Sequence, residues 1–403
     1  VSKWLSIVGM GEDGFDGLSH QARLAIGKAE VIVGSARLLR MLPECSAERH
    51  PWPQPFAAVV KEIATFSGHR TVLLATGDPL NYGVARKVLE FIPFSDVEVI
   101  PHVSAFSLAA ARVGWSIPDC DTLSLHGRHA ANIEAFIQPG ARLLVLTSDA
   151  DTIPEVCRRL VRRGFGASEI TVLENMGGPV EKTTRFLACD NLDSSFSDLN
   201  TLAIECRASP NAIVYSRLAG LPDDAFVHDG QLTKRDVRAI TLSALAPTPN
   251  EILWDVGAGC GSVSIEWMRS TRNCEALAFE REVERLRMIA SNADNLGAPR
   301  LRIIAGSAPA TFADQPPPDA VFIGGGLNTP GVFEEAWAAL KPGGRMVVNV
   351  VTLEGELHVI DLKERYGGDL VRLAFSHLTP LGQLRALRPS LPVLQWRSQK
   401  PWQ

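Results

Sequence analysis

The chain has 403 residues, 46% of them hydrophobic and 21% charged, with a net charge of −5; this is the balance of a soluble globular protein long enough for two domains, each with its own core. The acidic balance argues against sequence-independent nucleic-acid binding, so no nucleic-acid partner is expected. Seven Cys at 45, 120, 157, 189, 206, 260 and 274 form no C-x-x-C pair, which argues against a disulfide framework and a structural zinc site and predicts no metal; with no signal peptide and no apolar run long enough to span a bilayer, a cytoplasmic protein without membrane association is expected.

Short apolar runs alternate with amphipathic stretches through both halves, the pattern of α/β domains. In the first half, strands are expected near 4–10, 29–34, 70–76, 97–101, 141–148, 169–176 and 201–206. Helices fall between them, for example over 104–114 and 152–164. In the second of these, Arg158, Arg159, Arg162 and Arg163 read as a solvated face. Trp52, Pro53 and Pro55 read as loop and packing residues. The segment AGLPDDAFVHDGQLTK (219–234) lacks hydrophobic periodicity and carries Pro, Gly and acids. The domain boundary is placed there, giving domains 1–218 and 219–403. A helix then opens the second half over 234–245, with Thr233 read as its N-cap. Strands follow near 251–257, 275–280, 301–306, 319–325 and 345–351, and 370–380 with 393–398 reads as a closing pair.

Within that second half, DVGAGCGSVSIE (255–266) is a glycine turn between a strand and a helix. The order strand, glycine turn, helix, strand, acid supplies the context that a lone glycine pattern lacks. Asp255, Gly257, Ala258, Gly259, Cys260 and Gly261 form a turn that lets a ligand approach the backbone, and the next helix offers free N–H groups. Glu280 ends the following strand, where a carboxylate accepts ribose hydroxyls. NAD and S-adenosylmethionine (SAM) both use this geometry. An acid just before the glycines repels a pyrophosphate but not the amino group of a methionine moiety, which favours SAM over a dehydrogenase cofactor. Gly306, Ser307 and Ala308 stand where class I methyltransferases, which this half resembles, hold adenine, and ALKPGGRMVVN (339–349) resembles the turn before the fifth strand of that fold. The fourth strand ends in FIGGG (322–326), whose Gly324 and Gly325 make a roomy floor where enzymes that methylate base amines carry N-P-P-Y. With DGQLTKRDVRA (229–239), it resembles the precorrin methyltransferases that act at carbon 15 and decarboxylate the ring C acetate, over nearly all of 225–403. By that resemblance Thr233 also touches SAM, and the chain is a homo-oligomer, tetrameric as relatives of this domain are. Lys234, Arg235 and Arg238 oppose the macrodipole at a helix start; substrate carboxylates or solvent would compensate, and Lys234 and Arg235 are candidate substrate clamps. His358 and His377 read as structural.

The first half carries ATGDPLNYG (75–83), with Gly77, Asp78, Pro79, Tyr82 and Gly83, and IVGMGEDG (7–14), with Gly9 and Gly11. Together these resemble the tetrapyrrole methylase family, although the last glycine and the acid of its G-x-G-x-G-D loop are reordered here. IPHVSAFSLAAARVG (100–114), with Ser104 and Ala105, resembles the segment after that family's fourth strand. SLHGR (124–128), with His126 and Arg128, is typical of the branch that methylates carbon 5, and ENMGGPVEK (174–182) resembles its E-N-L box. Asp78 also reads as a plain turn former, and His126 with Arg128 as a surface strand end. The combined resemblance implies an α/β chain: a two-lobed tetrapyrrole methylase fold followed by a Rossmann-like class I methyltransferase fold. It implies two SAM sites, one per domain, and a small-molecule precorrin substrate methylated at carbons 5 and 15 and decarboxylated. A reduced tetrapyrrole's bridge carbons are enamine-like, so no catalytic nucleophile is assigned. An RNA methyltransferase and a non-catalytic SAM-binding module remain the alternatives.

Overall fold

The computed structural model describes residues 3–53, 58–192 and 195–402; Pro55 lies outside them. The chain divides into two compact units, one of residues 1–130 and 136–214 and the other of 131–135 and 215–403.

The first unit holds two sheets. Strands β1 (Leu5–Met10), β2 (Val31–Gly34), β3 (Glu48–Pro51), β4 (Thr71–Thr76) and β5 (Val97–Ile100) form a parallel sheet in the order β3-β2-β4-β1-β5. Its inner strands are near-continuous apolar runs because both faces are covered: Leu5, Ile7 and Leu73 pack on one side, Val8, Ile32 and Leu74 on the other. Strands β6 (Asp121–Ser124), β7 (Arg142–Leu146), β8 (Glu169–Glu174), β9 (Lys182–Leu187) and β10 (Asn200–Glu205) form the second sheet, ordered β6-β7-β10-β8-β9 and antiparallel except between β6 and β7. The helix Ala105–Val113 is N-capped by Ser104 and lays Phe106, Ala109 and Ala110 on this second sheet.

In the helix Thr152–Arg162 the expected arginine face is only half solvated. Arg159 and Arg163 are buried while Arg158 and Arg162 are exposed. Spacing of four residues puts each pair on its own side of the helix. Arg159 pairs with Glu155, and Arg163 donates to the Ile213 carbonyl at 2.8 Å.

The second unit is built on one seven-stranded sheet. Its strands are β11 (Ile252–Val256), β12 (Glu275–Glu280), β13 (Arg302–Ala305), β14 (Ala320–Ile323), β15 (Arg345–Val350), β16 (Asp369–Leu373) and, beyond a separate hairpin of β17 (Ser376–Leu381) and β18 (Leu384–Pro389), β19 (Val393–Gln399). The order is β13-β12-β11-β14-β15-β19-β16, parallel through β15, with β19 antiparallel to both neighbours. Trp267, Phe322 and Leu253 fill one face; Trp254, Phe279 and Trp396 fill the other. The segment expected as one strand over 370–380 is two. The chain leaves β16 at Ala374 and enters the hairpin, whose strands, among the described residues, pair only with each other. No helix among the described residues is long and apolar enough to cross a membrane.

Candidate active site

The seven-stranded sheet reverses its strand order at β11, which lies between β12 and β14. In open α/β sheets, ligands bind beyond the carboxyl ends of the strands at such a switch point. A cavity of about 1750 Å³ opens there, against roughly 300–1,000 Å³ for an ordinary small-molecule pocket. Its lining includes Thr233, Lys234, Arg235, Asp255, Gly257, Ala258, Gly259, Glu280, Gly306, Ser307, Ala308, Gly324 and Gly325. Of the residues expected to hold the cofactor in this half, Cys260 and Gly261 stand outside that lining. Cys260 is buried, with its carbonyl accepting from Asn292 Nδ2, and Gly261 caps the helix Ser262–Ser270.

The turn after β11 is left-handed at Gly257, Gly259 and Gly261, with φ of +70°, +60° and +80°. A Cβ on Gly257 would lie 2.9 Å from the Gly325 backbone. The two glycine loops therefore meet backbone to backbone, and a side chain at 257 would part them.

Asp255 sits beneath this turn and is 1% exposed. Its Oδ2 accepts from Ser264 N at 3.0 Å and from Ser264 Oγ at 2.5 Å, while its Oδ1 is buried without a partner. Burial, reinforced weakly by the Glu280 charge and resisted by the Ser264 bonds, pushes the carboxyl up to about 6. A buried acceptor without a donor, at the wall of a cavity, calls for a donor from a ligand. Glu280 accepts from Gly259 N at 2.8 Å, from Arg281 N at 2.9 Å and from Glu282 N at 3.0 Å. It fixes the glycine turn as well as facing the cavity.

The helix of this wall runs Arg235–Leu245, and its cap position is held by Lys234, not by Thr233 as expected from the sequence. Thr233 turns its carbonyl to Arg238 Nη1 at 2.6 Å, and the Asp223 carboxylate caps in its place, accepting from Arg235 N at 2.9 Å. The three cations at this helix start part company. Arg238 is fully buried and pairs with Glu266 at 2.7 Å and Asp223 at 3.1 Å. It also donates to the Leu221 carbonyl and lies 4.8 Å from the centre of the Phe226 ring. Neither substrate nor solvent compensates it. Lys234 and Arg235 are exposed cavity residues with no carboxylate partner among the described residues. Arg285, by contrast, is tied to Asp229 at 2.9 Å.

Other lining residues went unassigned, Asp236 and Asn349 among them, and His377, read from the sequence as structural, lines the cavity as well. Asn349 was detectable as the polar residue in the apolar run RMVVNVV. His377 reaches the cavity from the hairpin strand Ser376–Leu381, which the sequence pattern merges with the strand before it.

In the first unit the loops also cross at glycines. A Cβ on Gly9 would meet the Gly77 carbonyl at 2.1 Å and His102 N at 2.6 Å. Gly11, Gly77 and Ala105 line a cleft of about 60 Å³, with Glu12, Thr76 and Asn175. Glu12 forms an ion pair with Arg37, whose Nη2 donates to Thr76 Oγ1 at 2.9 Å. Gly9, Asp78, Pro79, Tyr82, Gly83, Ser104, His126 and Arg128 lie outside that lining. Asp78 Oδ1 accepts from Leu80 N at 2.9 Å, closing an Asx-type turn. Gly83 packs on Pro79, where a Cβ would lie 2.4 Å from the carbonyl oxygen. Tyr82, with φ of +59°, donates from its hydroxyl to the Thr122 carbonyl at 3.2 Å, and Arg128 lies 4.9 Å from its ring centre. His126 is exposed.

A glycine-cradled, acid-backed cavity at the switch point of a sheet ordered this way defines a class I methyltransferase. Residues 224–400 match the family model described as a precorrin methyltransferase domain, and residues 5–188 that of the tetrapyrrole (corrin/porphyrin) methylases. Both are methyltransferase domains, which implies SAM as methyl donor. A precorrin-6Y C(5,15)-methyltransferase [decarboxylating] of Sinorhizobium sp is 42% identical over 98% of this chain and 96% of its own length. The chain belongs to that family of decarboxylating methyltransferases of cobalamin biosynthesis. Two shorter relatives from Salmonella typhimurium match in part. A cobalt-precorrin-6B C(15)-methyltransferase (decarboxylating) is 35% identical over 42% of this chain and 89% of its own length. A cobalt-precorrin-7 C(5)-methyltransferase is 31% identical over 43% of this chain and 85% of its own length.

Proposed function

We propose that residues 219–403 methylate carbon 15 of precorrin-6B and remove the carboxyl group of its ring C acetate, and that residues 1–218 methylate carbon 5 to give precorrin-8X, with one SAM site in each domain. The observation that carries this reading is the 1750 Å³ cavity walled by Asp255, the paired glycine loops and two cations with no carboxylate partner among the described residues. It has room for a nucleoside beside a large flat ring. The separate C(15) and C(5) relatives, each covering about two fifths of this chain, support two separable activities. By family resemblance the chain is a cytoplasmic homo-oligomer, tetrameric through its second domain.

The residues fit the cofactor. Asp255 Oδ1 offers a buried acceptor to a cationic group, Glu280 offers one to hydroxyls, and the Cβ-free turn admits a ligand against the backbone. SAM, when bound, supplies an electrophilic methyl group on a sulfonium. The nucleophile is the enamine-like carbon of the substrate itself, so the protein's task is alignment. Positioning of this kind contributes roughly 7–11 kcal/mol. Lys234 and Arg235 hold peripheral carboxylates of the macrocycle. The acetate that departs is left unclamped, because a salt bridge to it would stabilise the ground state and slow its loss.

Gly259→Val in the full chain tests the assignment. Gly259 is left-handed, and its Cβ would stand 3.3 Å from the Gln231 carbonyl, so a branched side chain closes the turn. Carbon 15 methylation and decarboxylation should vanish from the product mass, and SAM stoichiometry should halve. Loss of SAM from both sites would contradict two independent sites.

A further inference from the structure

Decarboxylation of an acetate side chain leaves a carbon that must still be protonated, and none of the residues assigned above supplies that proton. The C–CO2 bond breaks, and its electron pair enters the macrocycle through an iminium, leaving an exocyclic methylene. That carbon then takes one proton to become a methyl group. The balance is one carboxylate and one proton in, one methyl group and one carbon dioxide out, with no oxidant or reductant.

Two neighbouring side chains line the cavity and have no role in the reading above. His377, on the hairpin strand β17, places its Nε2 at 3.7 Å from Asp236 Oδ2, in the first turn of the helix Arg235–Leu245. Among the described lining residues it is the only imidazole. Asp255, whose carboxyl is pushed up to about 6 by burial, also lines the cavity, but Ser264 engages its Oδ2 and its Oδ1 is the acceptor assigned to SAM. The His377 side chain is 60% exposed and that of Asp236 44% exposed, so a spent imidazole regains its proton from solvent. Asp236 faces it from the helix and Arg388 lies directly across the hairpin, while Lys234 and Arg235 line the same cavity.

We propose that His377, oriented by Asp236, is the proton donor that converts the decarboxylated side chain into a methyl group. The proposal rests on the assignment of decarboxylation to the second domain. Imidazolium is suited to the step because its proton is mobile near neutral pH, and a cation next to a developing carbanion lowers the barrier. The hairpin strand, which among the described residues pairs with no other sheet, then has a chemical reason to reach the cavity.

The test uses the full-length enzyme with precorrin-6B and SAM, and follows product mass together with SAM binding. His377→Ala should keep SAM affinity and lower formation of decarboxylated product by roughly 10²–10⁴-fold, with partial rescue by added imidazole. Asp236→Asn should lower kcat for decarboxylation with SAM affinity and the KM for precorrin-6B unchanged, and should add little to the loss in His377→Ala, a pattern that a merely structural role would not give. Decarboxylation by His377→Ala at the wild-type rate overturns the proposal, as does a loss that imidazole does not relieve in either His377→Ala or His377→Gln. The glutamine variant keeps the bulk and guards against misfolding. Wild-type enzyme that leaves the acetate intact would overturn the functional assignment itself, a result distinct from failure of His377 alone.

Discussion

Asp255→Asn separates what this carboxylate does for folding from what it does for binding, and the two effects have opposite signs. In the folded chain the carboxyl lies near 6 instead of its ordinary 3.8, chiefly because it is buried. Between those values the unfolded chain has released a proton that the folded chain keeps, so stability falls as pH rises through that window and stays lower above it. A displacement of about two pH units corresponds to about 3 kcal/mol. Asparagine removes that cost while its oxygen still accepts from Ser264 N and Oγ. The variant should therefore be more stable than wild type at pH 7.5, by up to about 3 kcal/mol, and flat between pH 4 and 6. For SAM the sign reverses. Oδ1 is the acceptor without a partner, and an amide puts a donor where the ligand needs an acceptor. Losing one charge-assisted hydrogen bond costs about 1.5–3 kcal/mol, or about 10–150-fold in Kd at the second domain's site. In the wild type the same affinity should weaken as pH falls below 6. Urea unfolding across pH 4–8 and calorimetric titration with SAM read both effects. A variant less stable than wild type at pH 7.5, or one that binds SAM as wild type does, would refute the reasoning.

The paired glycine loops make a contrast. Gly257→Ala meets the Gly325 backbone at 2.9 Å in a left-handed conformation, so it should cost at least about 1–2 kcal/mol and abolish SAM binding to this domain. Gly325→Ala meets nothing nearer than 3.9 Å; it should leave the thermal midpoint and SAM affinity unchanged while slowing methyl transfer by crowding the floor, and a fall in SAM affinity would argue against a substrate-side position. Arg238→Met leaves Glu266 and Asp223 without their shared cation and should destabilise by about 3–5 kcal/mol. Adding Glu266→Leu should cost much less than the sum of the single effects, as a double-mutant cycle by urea denaturation would show.

How much of this was legible in the sequence depended on burial. The inner strands of both sheets in the first unit were readable because an apolar run has only one place to go. The strands that reading missed are β3, β6 and β9, and all three lie at sheet edges. Their sequences, ERHP, DTLS and KTTRFL, are largely polar and partly exposed, since an edge strand has one neighbour and needs no two-sided apolar cover. In the second unit the glycine turn, its acid, Glu280 and the FIGGG floor were legible as a set. Each is a backbone requirement written into residue type, and the structure brings them to one cavity. Side-chain partners were not legible. Arg159 and Arg163 look like Arg158 and Arg162 in a charge run, and only the packing of the helix tells which pair goes inward.

The segment before the active-site helix shows why composition alone undervalues such stretches. Residues 219–234 have no hydrophobic period, and yet they form one wall of the cavity. Their order comes from two buried apolar anchors, Leu221 and Phe226, and from polar groups that the sequence scatters widely. Arg238 draws in the Leu221 and Thr233 carbonyls and the Asp223 carboxylate, while Glu266 accepts from Gly220 N and Leu221 N at 2.6 and 2.9 Å. Asn292 pins Val227 through both its N–H and its carbonyl, and also reaches Cys260. Arg285 holds Asp229. Glu266 lies on the helix that follows the glycine turn, and Asn292 and Arg285 lie on the helix after β12. The wall is thus fastened to the two helices whose starts carry the turn's own ligands, Glu280 and the glycines. A buried ion pair adds little net stability over an apolar replacement, so its use here is positional. It sets Lys234 and Arg235 at the cavity mouth and Asp236 within reach of His377, in a stretch whose buried apolar anchors are Leu221 and Phe226.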